Sequence, residues 1–145
     1  MPIDVSAEAT IARLPAEVMT YVSDPANDPS WIGGVVEAEL LSDPPLARGS
    51  QVRRTAKFLG RRFDYVTEVT EWQPPEALAM RATSPFPMDI RYEFQENGGC
   101  TLARVRVQGE GGGFFRLAAP LLAPQVRRNI RADVERLKAL LESER

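Results

Sequence analysis

The chain has 145 residues, of which 43% are hydrophobic and 26% are charged, and its formal net charge is −2. This length predicts a single domain over residues 1–145, and so small a net charge predicts no binding of nucleic acid. The chain contains no histidine and one cysteine, Cys100. That composition excludes a Ser-His-Asp triad, a His-ligated zinc site and an internal disulfide, and we expect neither a metal nor a cofactor.

The same composition predicts a location. No apolar stretch approaches the roughly 20 residues that a membrane helix needs. The N-terminal residues show no basic region followed by an apolar run, so no signal peptide is predicted. A lone cysteine fits a reducing compartment. We therefore expect a cytoplasmic protein with no integral membrane association.

The chain begins with a pattern typical of a strand followed by a helix. Residues 3–13 alternate between apolar and polar side chains, which predicts the first strand. Pro15 follows, and proline is well tolerated in the first turn of a helix because its missing N–H has no partner there. A short helix is therefore predicted over 15–22. Asp24-Pro25 ends it, because the residue before a proline avoids the helical conformation.

A second short helix or turn is predicted at about 27–32. Asn27 or Asp28 can cap it, and Pro29 can occupy its first turn. Trp31 is its large apolar anchor. Together with the preceding helix, this segment gives two short helices after the first strand.

Six further strands are predicted between Gly33-Gly34 and Gly109, because alternating segments are separated by turn signals. Asn97-Gly98 is the strongest hairpin signal among them. On their apolar faces, the six segments carry Val36, Ala38 and Leu40; Val52, Arg54, Ala56 and Phe58; Phe63, Tyr65, Thr67 and Val69; Leu78, Met80 and Ala82; Met88, Ile90, Tyr92 and Phe94; and Ala103, Val105 and Val107.

From about residue 115 the hydrophobic period changes to that of a helix. The apolar residues recur at spacings of three and four, which is one stripe of an α-helix: Val126, Ile130, Val134, Leu137 and Leu141. Pro120 and Pro124 lie upstream and predict either a kink or a separate first helical segment.

These elements predict an α+β domain with a curved antiparallel sheet of about seven strands. Short loops make consecutive strands antiparallel neighbours, and each strand has one apolar and one polar face. The long C-terminal helix is the one predicted element long enough to cover the apolar face. A curved sheet wrapped around one helix favours an interior cavity between the two.

Four stretches resemble one family, the START-like superfamily of polyketide cyclases/dehydrases and lipid-transport proteins, also called SRPBCC, with the helix-grip fold. The resemblance spans nearly the whole chain and depends on the order and spacing of the stretches. They are the strand and Pro-started helix from Ala9 to Val18, the "DP…W" segment from Val22 to Trp31, the strand and Pro-rich turn from Tyr65 to Pro75, and the closing helix from Asp133 to Glu142.

The resemblance implies binding of a small hydrophobic ligand, such as a lipid, a polyketide or a quinone, between the C-terminal helix and the sheet. An alternative is a cyclase/aromatase that promotes aldol cyclisation and dehydration of a poly-β-keto chain. A third hypothesis is a partner-binding module that uses Phe114, Phe115 and the basic face of the helix. The sequence does not decide whether the chain is an enzyme, and it does not predict the oligomeric state.

Arg54 is the main candidate for a polar ligand contact. It shares its predicted face with apolar residues, and a buried cation needs a partner. The functional interpretation is an arginine inside the cavity that binds a carboxylate, phenolate or enolate. The alternative is a strand-end arginine that reaches water or pairs with Glu68 or Glu71.

Four more residues complete the predicted ligand-binding set. Tyr65 and Tyr92 lie on inward faces and offer a hydroxyl at the tip of an apolar ring. Trp31 can close one end of the cavity or anchor the short helices. Asn129 can point into the cavity. Asp133 beside it is predicted to lie at a solvated helix edge, and the alternatives are that it pairs with Arg54 or lies at the cavity wall.

Two phenylalanines in predicted loops are candidates for the cavity mouth. Phe86 lies between two prolines, and Phe115 follows a glycine-rich segment. Either side chain can gate the mouth or contact a membrane or a partner, although single exposed apolar residues are common on protein surfaces.

Overall fold

The structure, a computed structural model, describes residues 3–58, 60–83, 87–109 and 113–143, without the side chains of residues 58 and 113–123. The elements in chain order are β1 (Ile3–Ile11), α1 (Pro15–Val22), a 3-10 turn (Pro25–Asn27), α2 (Asp28–Trp31), β2 (Val35–Leu40), β3 (Gln51–Phe58), β4 (Arg61–Gln73), β5 (Ala77–Ala82), β6 (Met88–Asn97), β7 (Cys100–Gly109) and α3 (Gly113–Ser143).

The seven strands form one antiparallel sheet in the order β1-β7-β6-β5-β4-β3-β2. Strands β2 to β7 therefore pair with their neighbours in sequence, and β1 closes the sheet against β7, with Ile3 opposite Gly109 and Ile11 opposite Thr101. Helix α3 packs against β1 and β7 and contacts α2. The predicted α+β architecture, with two short helices after the first strand, is confirmed.

The hairpin between β6 and β7 shows how local chemistry sets the register. Asn97 and Cys100 face each other across a two-residue loop. Gly98 and Gly99 in that loop have φ values of +61° and +86°. Two successive positive φ angles define the turn whose twist matches a right-handed β-ribbon, and glycine adopts them without steric cost.

One predicted strand face is wrong. Val36 was expected to share the inward face with Ala38 and Leu40, but 44% of Val36 is exposed, whereas Val35 is buried. The register of β2 against β3 shifts between Val35 and Glu37, which marks a β-bulge. Because a bulge inserts one residue, it reverses the alternation at that point, and the side chains before and after it follow different phases.

Helix α3 is one continuous helix that runs through Pro120 and Pro124, so the predicted division into two helical segments is not observed. Its predicted apolar stripe is confirmed, since four of the five stripe residues are buried and Val126 is partly buried against the core. Among the described residues, no helix is long and apolar enough to cross a membrane.

The C-terminal half of α3 is attached to the first strand by polar contacts. Lys138 Nζ donates to the carbonyl oxygen of Thr10 at 2.7 Å and lies 2.8 Å from the carboxylate of Glu142. The same carboxylate accepts from the backbone N–H of Ala12 at 2.9 Å. These contacts fix where α3 crosses the sheet and therefore how much space lies beneath it.

The packing of α3 on the sheet predicts a large effect for one truncation. Leu137 is fully buried. Leu137→Ala should lower the free energy of unfolding by about 2–5 kcal/mol, because it removes apolar contacts and leaves a void. Arg131→Ala, at an exposed position of the same helix, should change it by less than about 0.5 kcal/mol. Urea denaturation measures both values, and equal losses would contradict this packing.

Candidate functional site

A buried polar cluster lies under the apolar face of the sheet, with Arg54 at its centre. Arg54 Nε donates to Asp28 Oδ2 at 2.7 Å, and one terminal nitrogen donates to Thr67 Oγ1, also at 2.7 Å. Its other terminal nitrogen lies 3.5 Å from the sulfur of Met80. Arg54 is 3% exposed, Asp28 1% and Thr67 0%. The cluster is therefore an ion pair held inside the protein.

Arg54 has none of the three partners proposed from sequence, which were Glu68, Glu71 and Asp133. Glu71 pairs instead with Arg91, at 2.8 Å, near the surface, and Arg54 pairs with Asp28. Asp28 was considered only as a helix cap, yet it is the first residue of α2. The sequence did contain a signal for the inward position of Asp28. Residues three positions apart lie on the same face of a helix, so Asp28 points into the protein if Trp31 does.

Arg54 is the member of this cluster that lines a cavity of about 190 Å³ between the sheet and α3. All five residues of the predicted ligand-binding set line this cavity. Most of the remaining lining is aliphatic or aromatic, and the residues that carry it are Ile32, Val35, Ala56, Phe63, Ala82, Met88, Ile90, Val105, Val107, Val126 and Ile130. The space is therefore mainly apolar, and the charged and amide residues of its lining are Arg54, Lys57, Asn129 and Asp133.

Aromatic rings form the floor beside the ion pair. Trp31 is 1% exposed and meets Tyr92 edge-on, with ring centroids 5.5 Å apart and planes inclined at 63°. Tyr92 is buried as well, while Tyr65 is partly exposed and lies opposite Arg54 in the β3–β4 register. Trp31 therefore both anchors α2 and lines the cavity.

Burial governs the protonation of these groups. It raises the pKa of both tyrosine hydroxyls, Tyr65 and Tyr92, above the ordinary value. Burial also raises the pKa of Asp28, although Arg54 pulls it in the opposite direction. Burial opposes the charge of Arg54, yet the attraction of Asp28 raises the pKa of its guanidinium. Both tyrosines are therefore neutral hydrogen-bond donors at neutral pH.

The helical side of the cavity is formed by Asn129 and Asp133. Asn129 is partly buried, and its Oδ1 accepts from the side chain of Gln125 at 2.9 Å. Asp133 was predicted at a solvated edge, but it is only 8% exposed. Its Oδ1 accepts from the backbone N–H of Gly33 at 2.9 Å and from Arg136 at 3.3 Å. The bond to Gly33 draws Asp133 inward and ties α3 to the loop after α2.

The two residues proposed for the cavity mouth fall outside what can be described. Phe86 is not among the described residues, and Phe115 lies in the part of α3 whose side chains are not described.

Thr67 was placed correctly on the inward face, but its contact with Arg54 was not predicted. It accepts from Arg54 and lies 3.7 Å from the Met80 sulfur, to which it can donate.

Other parts of the described structure are less suited to binding a small apolar ligand. A larger concavity of about 650 Å³ is lined mainly by charged and polar residues, including Glu8, Arg91 and Glu96, so it gives an apolar ligand little contact. Within the described ranges, no group of three or more His, Cys, Asp or Glu side chains could hold a metal ion. The cavity beneath α3 is therefore the candidate site.

The ion pair predicts an unequal response to two matched substitutions. Asp28→Asn should lower the free energy of unfolding by about 3–5 kcal/mol, because it leaves the Arg54 charge buried without a counter-charge. Asp64→Asn removes a carboxylate 3.8 Å from Arg53 at the surface and should cost less than about 1 kcal/mol. Thermal and urea unfolding compare the two, and similar losses would show that Arg54 is not held by Asp28.

Comparison with solved structures confirms the fold. The crystal structure of TTHA0849 from Thermus thermophilus has a TM-score of 0.82 at 17% identity, covering 97% of each chain. The Zhui aromatase/cyclase from Streptomyces sp. R1128 has a TM-score of 0.80 at 17% identity, covering 98% of this chain and 94% of that one. A START superfamily protein from Mycobacterium smegmatis has a TM-score of 0.69 at 19% identity, covering 92% and 98%.

Sequence comparison establishes the family. No curated protein matches the chain. The family described as "Polyketide cyclase / dehydrase and lipid transport" matches residues 2–142, which is nearly the whole chain. The resemblance inferred from the four sequence stretches is thereby confirmed, and the chain belongs to the polyketide cyclase/dehydrase and lipid transport family.

Proposed function

We propose that this protein binds a small apolar molecule in the cavity between α3 and the sheet. The observation that carries the proposal is the cavity itself, a mainly apolar space of about 190 Å³ between α3 and the sheet. Protein interiors contain few voids larger than a water molecule, because each loses packing contacts. A cavity of this size therefore costs packing energy, and ligand binding explains why the protein keeps it.

The volume limits the size of the ligand. An apolar cavity of about 150 Å³ stays dry and accepts benzene, whereas sites for drug-sized ligands start at about 300 Å³. A cavity of 190 Å³ falls between these values. The buried part of the ligand is therefore the size of one or two fused rings, or of a short branched hydrocarbon.

A second candidate function is cyclisation and dehydration of a poly-β-keto chain. The observation in its favour is that Arg54, Tyr65 and Tyr92 line one apolar space, where they can contact a developing enolate. Two features weigh against it. Asp28 already compensates the charge of Arg54, and burial raises the pKa of both tyrosines, which makes them poor acids and leaves no phenolate to act as a base. Binding is therefore the function that the site supports better.

Filling the cavity should abolish binding while leaving the fold intact. Tetralin, a neutral bicyclic hydrocarbon, serves as the probe, and it should raise the melting temperature of the wild type with increasing concentration. Ala56 lines the cavity, so Ala56→Leu should weaken tetralin binding about tenfold or more by occupying the space. Circular dichroism measures each melting temperature with and without the probe.

The matched control is Ala79→Leu. Ala79 lies on β5 between two inward-facing neighbours, Leu78 and Met80, and does not line the cavity. This variant should keep the wild-type response to tetralin. Each variant is compared with its own ligand-free melting temperature, so a change in basal stability does not affect the result. An unchanged response in Ala56→Leu would contradict binding in this cavity.

Tyrosine ionisation separates the two candidate functions. In the folded protein, Tyr65 and Tyr92 should remain protonated up to about pH 10, because burial disfavours the phenolate. Tyr65→Phe and Tyr92→Phe should therefore leave the ultraviolet signal of tyrosinate unchanged over that range. In urea, where the chain is unfolded, all three tyrosines should ionise with the ordinary pKa of about 10. A variant that loses tyrosinate signal near neutral pH would instead identify an activated tyrosine and favour the cyclase.

A further inference from the structure

Two hydroxyls of the cavity wall have no hydrogen-bond partner among the described residues. They belong to Tyr65 on β4 and Tyr92 on β6, and both residues line the cavity. Burial and nearby charges shift the pKa of each hydroxyl, but no hydrogen bond contributes to either shift. A phenol hydroxyl can both donate and accept a hydrogen bond. Each tyrosine therefore has hydrogen-bonding capacity that the protein does not use.

A molecule in the cavity can reach these hydroxyls. Within the described ranges, the ring nitrogen of Trp31 is the one side-chain nitrogen or oxygen that is both unpaired and fully enclosed by protein. The two tyrosine hydroxyls are unpaired as well but are not enclosed in this way, so each retains some accessible surface. Tyr92 is otherwise buried, with 4% of its surface exposed, and the open space that it lines is the cavity.

Packing fixes both rings, and both hydroxyls lie near Arg54. The ring centroid of Tyr92 is 5.5 Å from that of Trp31, and the centroid of Tyr65 is 6.0 Å from that of Phe63. The charge of Arg54 opposes the effect of burial on the pKa of both hydroxyls, and Tyr65 in turn affects the pKa of Tyr92. Because such effects weaken with distance, the two hydroxyls belong to one polar region of the cavity.

The charged and amide groups of the lining are in a different situation. Arg54 is paired with Asp28, and Asp133 accepts two hydrogen bonds. Asn129 accepts one hydrogen bond from a neighbour on the same helix, and Lys57 is exposed to solvent. The tyrosine hydroxyls differ from the first three groups because they have no partner, and from Lys57 because the tyrosines are wholly or partly buried.

A ketone oxygen is a ligand group that fits two such hydroxyls. Burial keeps both hydroxyls protonated at neutral pH, since it raises the pKa of each, so each has a proton to donate. A carbonyl oxygen has two lone pairs and can accept from two donors. It adds no donor that would need a partner of its own. The rest of the lining is mainly aliphatic or aromatic and suits a hydrocarbon ring.

We infer that the ligand is a cyclic ketone whose carbonyl oxygen accepts hydrogen bonds from the hydroxyls of Tyr65 and Tyr92. This inference rests on the proposed function and deepens it by naming the ligand class. The two tyrosines orient the ketone, while the apolar lining supplies most of the affinity.

Two probes with the same ring system test the inference. Tetralin has no acceptor, and α-tetralone adds a carbonyl to the same rings. Calorimetric titration of the wild type should show α-tetralone binding at least about fivefold more tightly than tetralin, as expected for two hydrogen bonds. Tyr65→Phe and Tyr92→Phe should each remove part of this preference, because each keeps the ring and loses one donor. The double variant should bind both probes with equal affinity.

Tyr21→Phe is the matched control. It removes the hydroxyl of the third tyrosine of the chain, which lies on α1 and does not line the cavity, so it should keep the wild-type preference for α-tetralone. Without ligand, neither cavity variant should lower the melting temperature, because no hydrogen bond of the folded protein is lost. The affinities can therefore be compared in folded proteins.

The outcomes separate the inference from the proposed function. If α-tetralone keeps its advantage in the double variant, a different donor such as Lys57 or Asn129 holds the oxygen, and the inference is overturned while the proposed function stands. The same conclusion follows if tetralin binds the wild type as tightly as α-tetralone. If neither probe binds the wild type, the proposed function fails and the inference fails with it.

Infrared spectroscopy provides a second readout of the same contact. α-Tetralone labelled with a heavy isotope at its carbonyl carbon gives a band that is separate from the protein amide bands. Bound to the wild type, this band should lie at a lower frequency than in hexane, because hydrogen bonds weaken the carbonyl bond. Bound to the double variant, it should return close to its position in hexane. The same frequency in both proteins would overturn the inference.

Discussion

The buried ion pair between Asp28 and Arg54 connects the short α2 helix to strand β3. Neither charge is stable in the interior without the other, because desolvation of a single ion costs several kcal/mol. Helix α2 has four residues, too few to be stable by its own hydrogen bonds. Its position therefore depends on Asp28 on the sheet side and on the Trp31 carbonyl, which Arg136 of α3 binds.

Fixing α2 in this way also shapes the cavity. Trp31 is held between the sheet and α3, so the cavity has a rigid aromatic end, and its aliphatic lining continues along the helix. The ion pair places Arg54 at the cavity wall with its charge compensated by Asp28. With no histidine in the chain and both cavity tyrosines protonated, the site is better equipped to hold an apolar molecule than to move protons.

Local periodicity was sufficient to predict the strands, the stripe on α3 and the inward direction of Arg54, Tyr65 and Tyr92, because side-chain direction follows from the period of each element. It failed at Val36, where a bulge changes the phase of β2 without a clear sequence signal. It also failed for the partner of Arg54. Asp28 lies 26 residues away along the chain, and such a pairing depends on how two elements meet, which no local pattern contains.

If the space beneath α3 is a binding site, a bound probe must lie against the residues that line it. Methyl groups on opposite faces of the protein report the position of tetralin by nuclear magnetic resonance. We expect shifts for Ile90, Val105 and Ile130, which line the cavity, and none for the exposed Val36 and Val66. Shifts confined to the exposed valines, or no shifts at saturating tetralin, would contradict binding in this space.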